Sequence, residues 1–350
     1  MSSRSHTVSM PDGDVSVTVT ESGAGGRPVL LLHGGAGPDS VTGFGGALAE
    51  RFPLRVLSPV YPGFSGTARP GWLDSIGKLA AVLRGLLEDL DVTDVIVAGS
   101  SIGGWTAAEL ALAAPDRVGR LVLIDPAGLV SDGHPIADFF SLTPDQLADL
   151  SWANPEGHRI DPAAMPEAQR AILLGNREAL LAYGGRSMGD PTLAARLGGI
   201  TAPTLVVWGE ADRIVTPGYG KEYAAAIPGA VFRMVPAAGH LPQLENPEAV
   251  LELFGELVTA GGYQSRDWPG MVSRSASTRA RASSPAMFAT AARARSVSCR
   301  AFPASPATAW ARARASKANA RSQSLMPLCW QMSRTRCAWY RADSAIVRIA

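Results

Sequence analysis

Short apolar runs that recur between helix-like stretches constrain this chain more than any other feature. Pro28–His33 is the first, and Arg55–Ser58, Asp94–Gly99, Arg120–Asp125, Thr204–Trp208 and Val231–Val235 repeat the type. Runs of this length without polar alternation suit strands covered on both faces, as in a parallel sheet. Between them Thr42–Arg51, Leu73–Leu90, Ser101–Ala114, Gly218–Ile227 and Pro247–Val258 read as helices. Strand and helix in alternation demand crossover connections, which lay helices over a mostly parallel sheet. Ahead of these units, His6–Met10 and Val15–Thr20 alternate around Pro11–Asp14, the chemistry of a hairpin turn, and Glu21–Arg27 is a glycine-rich loop.

The interval from about Leu129 to Leu197 breaks the rhythm. It has no clear strand and reads as several short helices inserted between two strands of the sheet. Open α/β sheets bind ligands beyond the carboxyl ends of their strands, so this insertion is expected to form a lid there.

Charge divides the chain at about residue 262. Residues 1–262 hold 17 Lys+Arg and 29 Asp+Glu, a net of −12, whereas residues 263–350 hold 15 and 2, a net of +13. Those last 88 residues contain 21 Ala, 14 Ser and 14 Arg and keep neither helical nor strand periodicity, so disorder is expected. Such a tail could act as a nucleic-acid-binding arm or a membrane anchor. Its composition is also what a GC-rich gene yields out of frame, and that reading is preferred here; no nucleic-acid partner is expected. All three cysteines, Cys299, Cys329 and Cys337, lie in it, so the body needs no disulfide and has no thiol nucleophile. The polar start MSSRSHTVSM lacks the apolar run of a signal peptide, and no stretch approaches the roughly 18 apolar residues of a span. A cytoplasmic protein without membrane contact is expected. The oligomeric state is open.

The chemistry centres on Gly99-Ser100-Ser101-Ile102-Gly103. A strand run precedes it and a helix-favouring stretch from Trp105 follows, the setting of a nucleophile elbow. Ser101 is the candidate nucleophile; the register argues against Ser100. A phosphate-binding turn is the alternative, but neither a Walker Lys nor a full G-x-G-x-x-G is present. His33-Gly34-Gly35-Ala36-Gly37 follows the first apolar run and can aim a backbone N–H at an oxyanion. Gly35 is the first expected donor and Ile102, the residue after the nucleophile, the second. His33 is expected to shape this loop, because His240 in Ala238-Gly239-His240-Leu241-Pro242 fits the general base better. Asp212 in Trp208-Gly209-Glu210-Ala211-Asp212 is the candidate acid, with Asp125 and Glu210 as rivals. The order Ser101, Asp212, His240 places one residue on each of three loops at the same end of one sheet. His134 and His158 are expected to be surface or substrate-contact residues. No His/Cys/Asp cluster has metal spacing, and no cofactor is expected.

In these motifs the sequence resembles the α/β-hydrolase family over about residues 6–260. The resemblance rests on His33-Gly34-Gly35, Pro115-Asp116-Arg117-Val118, the run Pro203–Asp212 and Gly239-His240. It implies a mostly parallel sheet of eight strands, a lid after the sixth, and acyl-enzyme chemistry. Within the family the chain is similar to esterases and to meta-cleavage-product hydrolases, which break carbon–carbon bonds; the glycine-rich stretch His33–Pro38 resembles that of the latter. Those enzymes usually carry an aromatic residue where Leu241 stands, and the lid shows no clear match to their substrate-binding Arg. Epoxide hydrolases and haloalkane dehalogenases use Asp where this chain has Ser101. The expectation is therefore hydrolysis of a small or medium carboxylic ester with an apolar part, carbon–carbon cleavage being the alternative. A non-catalytic ligand-binding protein on the same scaffold is the alternative of another class. Gly34, Trp105, Phe139, Phe140 and Leu241 are candidate substrate contacts, with Phe64, Leu142, Leu147 and Leu150 nearby.

Overall fold

The computed structural model describes residues 1–259. The basic stretch 263–350, expected to be disordered, lies outside the described residues. The strands β1 (Ser2–Val8), β2 (Val15–Ser22), β3 (Arg27–Leu32), β4 (Leu54–Val60), β5 (Val95–Ser100), β6 (Val118–Ile124), β9 (Thr204–Gly209) and β10 (Val231–Val235) form one sheet. Its order is β1-β2-β4-β3-β5-β6-β9-β10. Both pairings of β2 are antiparallel and the other five are parallel. The eight-stranded, mostly parallel sheet flanked by helices is the one expected.

Alternation along each strand explains why both faces are apolar. Val95 and Val97 of β5 and Leu121 and Leu123 of β6 enter one core. Their neighbours Ile96, Ala98, Val122 and Ile124 enter the other. Helices α2 (Ile76–Asp89), α3 (Ile102–Ala113) and α7 (Pro217–Ala226) cover the first face, and α1 (Asp39–Arg51) and α9 (Pro247–Thr259) the second. Helix α2 starts where Ser75 Oγ accepts the N–H of Lys78, and it buries Ile76, Leu79, Leu83, Leu86 and Leu87 along one stripe. Each such aliphatic side chain contributes roughly 1.5–3 kcal/mol on burial.

Chain direction reverses between β3 and β5. From β3 the chain crosses by α1 to β4 on one side, then returns by α2 to β5 on the other. The loops leaving β3 and β5 therefore flank a crevice at their carboxyl ends, the place where open α/β sheets accept ligands.

Between β6 and β9 the chain leaves the sheet. This excursion holds α4 (Pro144–Ser151), a 3-10 turn at Pro155–His158, α5 (Glu167–Gly184) and α6 (Leu193–Leu197). Two corrections apply to the sequence expectation. The interval is not strand-free: β7 (Gly128–Leu129) and β8 (Gly189–Asp190) pair in parallel at its base. Nor are all its helices short, since α5 runs 18 residues. A four-residue helix α8 (Pro242–Glu245), unforeseen because it is too short to show a period, follows His240. Among the described residues no helix is long and apolar enough to cross a membrane.

Candidate active site

Ser101 stands between β5 and α3 with φ 56° and ψ −119°, a conformation rare for a residue with a side chain. The turn is possible because its two flanking glycines allow close approach. A Cβ on Gly99 would overlap the carbonyl of Gly103, and a Cβ on Gly103 would meet the carbonyls of Leu32 and His33. The sharp turn lifts the Ser101 hydroxyl out of the sheet toward the loop after β10.

That loop brings His240 to Ser101. Asp212 is completely buried as a side chain, and an ionised carboxylate only accepts, so it fixes the proton on Nδ1 of His240. His240 Nδ1–H donates to Asp212 Oδ2 at 2.8 Å, leaving Nε2 to accept from Ser101 Oγ at 2.9 Å. Asp212 is itself oriented by the N–H groups of Ile214 and Val215, which donate to its Oδ1 at 2.8 and 3.1 Å. The three residues thus form one hydrogen-bonded chain running from a buried carboxylate to a hydroxyl, an arrangement that can draw a proton from the hydroxyl.

The rival acids occupy other positions. Glu210 is exposed. Asp125 is fully buried at the end of β6, and its Oδ1 accepts the N–H of Gly209 at 2.9 Å. It stands behind Asp212, with carboxylate and imidazole atoms of Asp125, Asp212 and His240 all within 4.8 Å. Burial, then the charge of Asp212, pushes its carboxyl well above the ordinary range.

The glycine loop after β3 lies against the nucleophile. A Cβ on Gly34 would stand 3.3 Å from the carbonyl of Ser100 and 3.4 Å from Cβ of Ser101. Neither the N–H of Gly35 nor that of Ile102 has an acceptor among the described residues, and Ile102 opens α3, where the first amides have no intrahelical partner. His33 shapes this loop from beneath. Its Nε2 accepts the N–H of Tyr61 at 3.1 Å, so Nδ1–H donates to the carbonyl of Gly34 at 2.8 Å. Burial lowers its pKa to about 4, with the Gly34 bond opposing. A neutral, doubly engaged ring is no candidate base.

The expected substrate contacts are scattered in role. Trp105 is buried with its ring against Gly128. Phe64 is fully buried beside the rings of His33 and Tyr183, at centroid distances of 4.8 and 6.4 Å, and belongs to the core rather than to a pocket wall. Phe139 and Phe140 meet edge to face at 5.4 Å and are half-buried, as are Leu142, Leu147, Leu150 and Leu241. His158 stacks on Trp152, and His134 lies over the start of α7 within 3.3 Å of Thr216 Oγ1.

Three residues escaped the sequence reading. Asn176 of α5 bridges two loops: its Oδ1 accepts the N–H of Ser65 at 2.8 Å and its Nδ2 donates to the carbonyl of Ala36 at 3.3 Å. Arg177 places its guanidinium 5.6 and 5.2 Å from the ring centroids of Phe139 and Phe140 and donates to the carbonyl of Phe140 at 2.6 Å. Glu245 accepts the backbone N–H of Gly239 in the His240 loop and that of Ala153 in the excursion. All three pairings join distant segments, and no local motif announces them.

Known proteins share this architecture. A model of the alpha/beta hydrolase family matches residues 29–253. A 2-hydroxy-6-oxononadienedioate/2-hydroxy-6-oxononatrienedioate hydrolase of Cupriavidus pinatubonensis is 30% identical over 267 residues, covering 69% of this chain and 91% of that protein. A pimeloyl-[acyl-carrier protein] methyl ester esterase of Photobacterium profundum is 28% identical, covering 67% and 95%. Among solved structures, a thermophilic esterase from Thermogutta terrifontis superposes with a TM-score of 0.58 at 26% identity, over 73% of this chain and 98% of that one. With the family model spanning more than half of its length, this chain belongs to the α/β-hydrolase family.

Proposed function

We propose that the chain is a serine hydrolase of small or medium carboxylic esters, working through an acyl-enzyme. The observation that carries this is the unbroken hydrogen-bond chain Ser101–His240–Asp212. Ser101 Oγ attacks the substrate carbonyl as His240 Nε2 takes its proton, and Asp212 stabilises the imidazolium. The oxyanion then receives the N–H groups of Gly35 and Ile102. His240 returns the proton to the leaving alkoxide, and water repeats the sequence to release the acid. The excursion after β6 serves as the lid of this site, with Phe139, Phe140 and Leu241 supplying apolar contact. The reading needs no cofactor, takes a small molecule as its only partner, and sets the reaction in the cytoplasm.

Carbon–carbon cleavage of an acidic dienone is the second reading. It is favoured by the named activity of the Cupriavidus relative, whose substrates carry two carboxylates, and by Arg177. That guanidinium is half-buried in the excursion and has no carboxylate partner among the described residues, so it is available to an anionic substrate.

Labelling with a fluorophosphonate, followed by rates on p-nitrophenyl esters of increasing chain length and on a 2-hydroxy-6-oxo-dienoate, tests both. Wild type is labelled and Ser101→Ala is not, with kcat lower by at least about a thousandfold. Higher kcat/KM on the dienoate, lost selectively in Arg177→Ala, would replace the ester reading by the second one. An unlabelled wild type would sink both.

A further inference from the structure

The loop that carries His240 is held by more than Asp212. Its backbone N–H donates to the carbonyl of Ser151, the last residue of α4, at 2.7 Å. Gly239 packs so closely on the backbone of Ser151 and Trp152 that a Cβ there would overlap it. The loop carrying Asp212 joins the same seam, since the N–H of Arg213 donates to the carbonyl of Leu150 at 3.1 Å.

One carboxylate closes this seam. Glu245, at the end of α8, turns back across the loop. Its Oε2 accepts the N–H of Gly239 at 2.5 Å, while its Oε1 accepts the N–H groups of Ala153 and Asn154 at 2.9 and 3.4 Å. Bonds from N–H groups to an ionised acceptor are about twice as strong as neutral ones. Only a group with an acceptor at each end can serve the His240 loop and the excursion at once. Because Gly239 immediately precedes His240, the position of the imidazole follows the position of this carboxylate. Displacement of a catalytic group by about 1 Å can cost on the order of a hundredfold in rate.

We propose that Glu245 is a positioning residue for His240, and that through it the stretch 150–154 of the excursion is a fixed wall of the catalytic site rather than a moving cover. The proposal rests on the reading of Ser101–His240–Asp212 as the catalytic relay. Glu245→Ala removes both ends of the clamp. In the full-length protein its kcat falls by about ten- to a hundredfold while KM moves less than about twofold. Glu245→Gln retains one acceptor oxygen and recovers part of the loss. Ala153→Pro deletes one excursion-side donor without touching the histidine loop, and lowers kcat in the same direction. Proton NMR supplies a readout that a merely structural residue would not move: the downfield Nδ1–H resonance of His240, present in wild type, broadens or vanishes in folded Glu245→Ala. An unchanged resonance, or kcat within twofold of wild type in the folded variants, overturns the proposal. If Glu245→Ala does not fold, Glu245→Gln decides by the same two measurements. A wild type that fails to react with a fluorophosphonate rejects the catalytic reading instead, and the resonance still reports whether Glu245 holds the ring.

Discussion

His33 and Asp125 are fully buried beside Ser101, and burial moves each toward its neutral form. The consequences for stability have opposite signs. His33 falls from an ordinary 6.5 to about 4, so between those values the unfolded chain binds the extra proton. Stability is therefore complete above about 6.5 and is lost as the pH drops toward 4, by about 3 kcal/mol for this group. Chemical denaturation from pH 7 to 4 should show a flatter profile for His33→Asn than for wild type, even if the variant is less stable at pH 7. Asp125 is raised, so its contribution is present at low pH and is lost as the pH rises and the unfolded chain releases the proton. Asp125→Asn keeps an acceptor for the N–H of Gly209 and carries no titrating proton. Its melting temperature should gain on wild type at pH 8 relative to pH 5; a constant difference across that range would contradict a buried neutral acid. The meeting of Ser101, His240 and Asp212 was legible because each sits in a short motif at a strand end. The approach of Asp125 to Asp212 was not, because β6 and β9 become neighbours only when the sheet assembles.

At the scale of elements, the long apolar strands and periodic helices were legible, and the errors fall where local signal is short. A two-residue strand such as β7 carries no period. Helix α1 begins three residues before the expected start, at Asp39. The excursion shows what sequence alone misses, namely which element it touches. Helix α5 is tied to the body by Asn176, by Tyr183, whose hydroxyl donates to the carbonyl of Pro62 at 2.8 Å, and by Leu180, which packs on Gly35. Asn176 is the informative one, since it grips the expected oxyanion loop at Ala36 and the β4–α2 loop at Ser65 in one side chain. Asn176→Ala leaves the N–H of Ser65 and the carbonyl of Ala36 unpaired and should cost about 1–3 kcal/mol in urea unfolding. It should also slow fluorophosphonate labelling of Ser101, because the loop bearing Gly35 loses a support. Labelling at the wild-type rate would show that Asn176 anchors the helix without steering the loop.

At the scale of the whole molecule, charge divides the chain near residue 262. Among the described residues, the eight-stranded sheet, two apolar cores and the residues from Ser101 to Glu245 belong to the acidic part. The Cupriavidus and Photobacterium relatives are covered over 91% and 95% of their own lengths by about two thirds of this chain. A protein ending at Gly262 should keep kcat/KM on its best ester within about twofold, while its net charge changes from +1 to −12. Full-length protein should shift nucleic acid only weakly, through contacts that salt screens, and the truncated protein not at all. The decisive result is activity. If soluble 1–262 protein with a native melting transition lost most of its hydrolysis, the tail would have to reach the Ser101 site or its substrate. An acidic body then offers the means, because 14 Arg side chains would be drawn to it, and the loss should deepen at low salt, where that attraction is strongest.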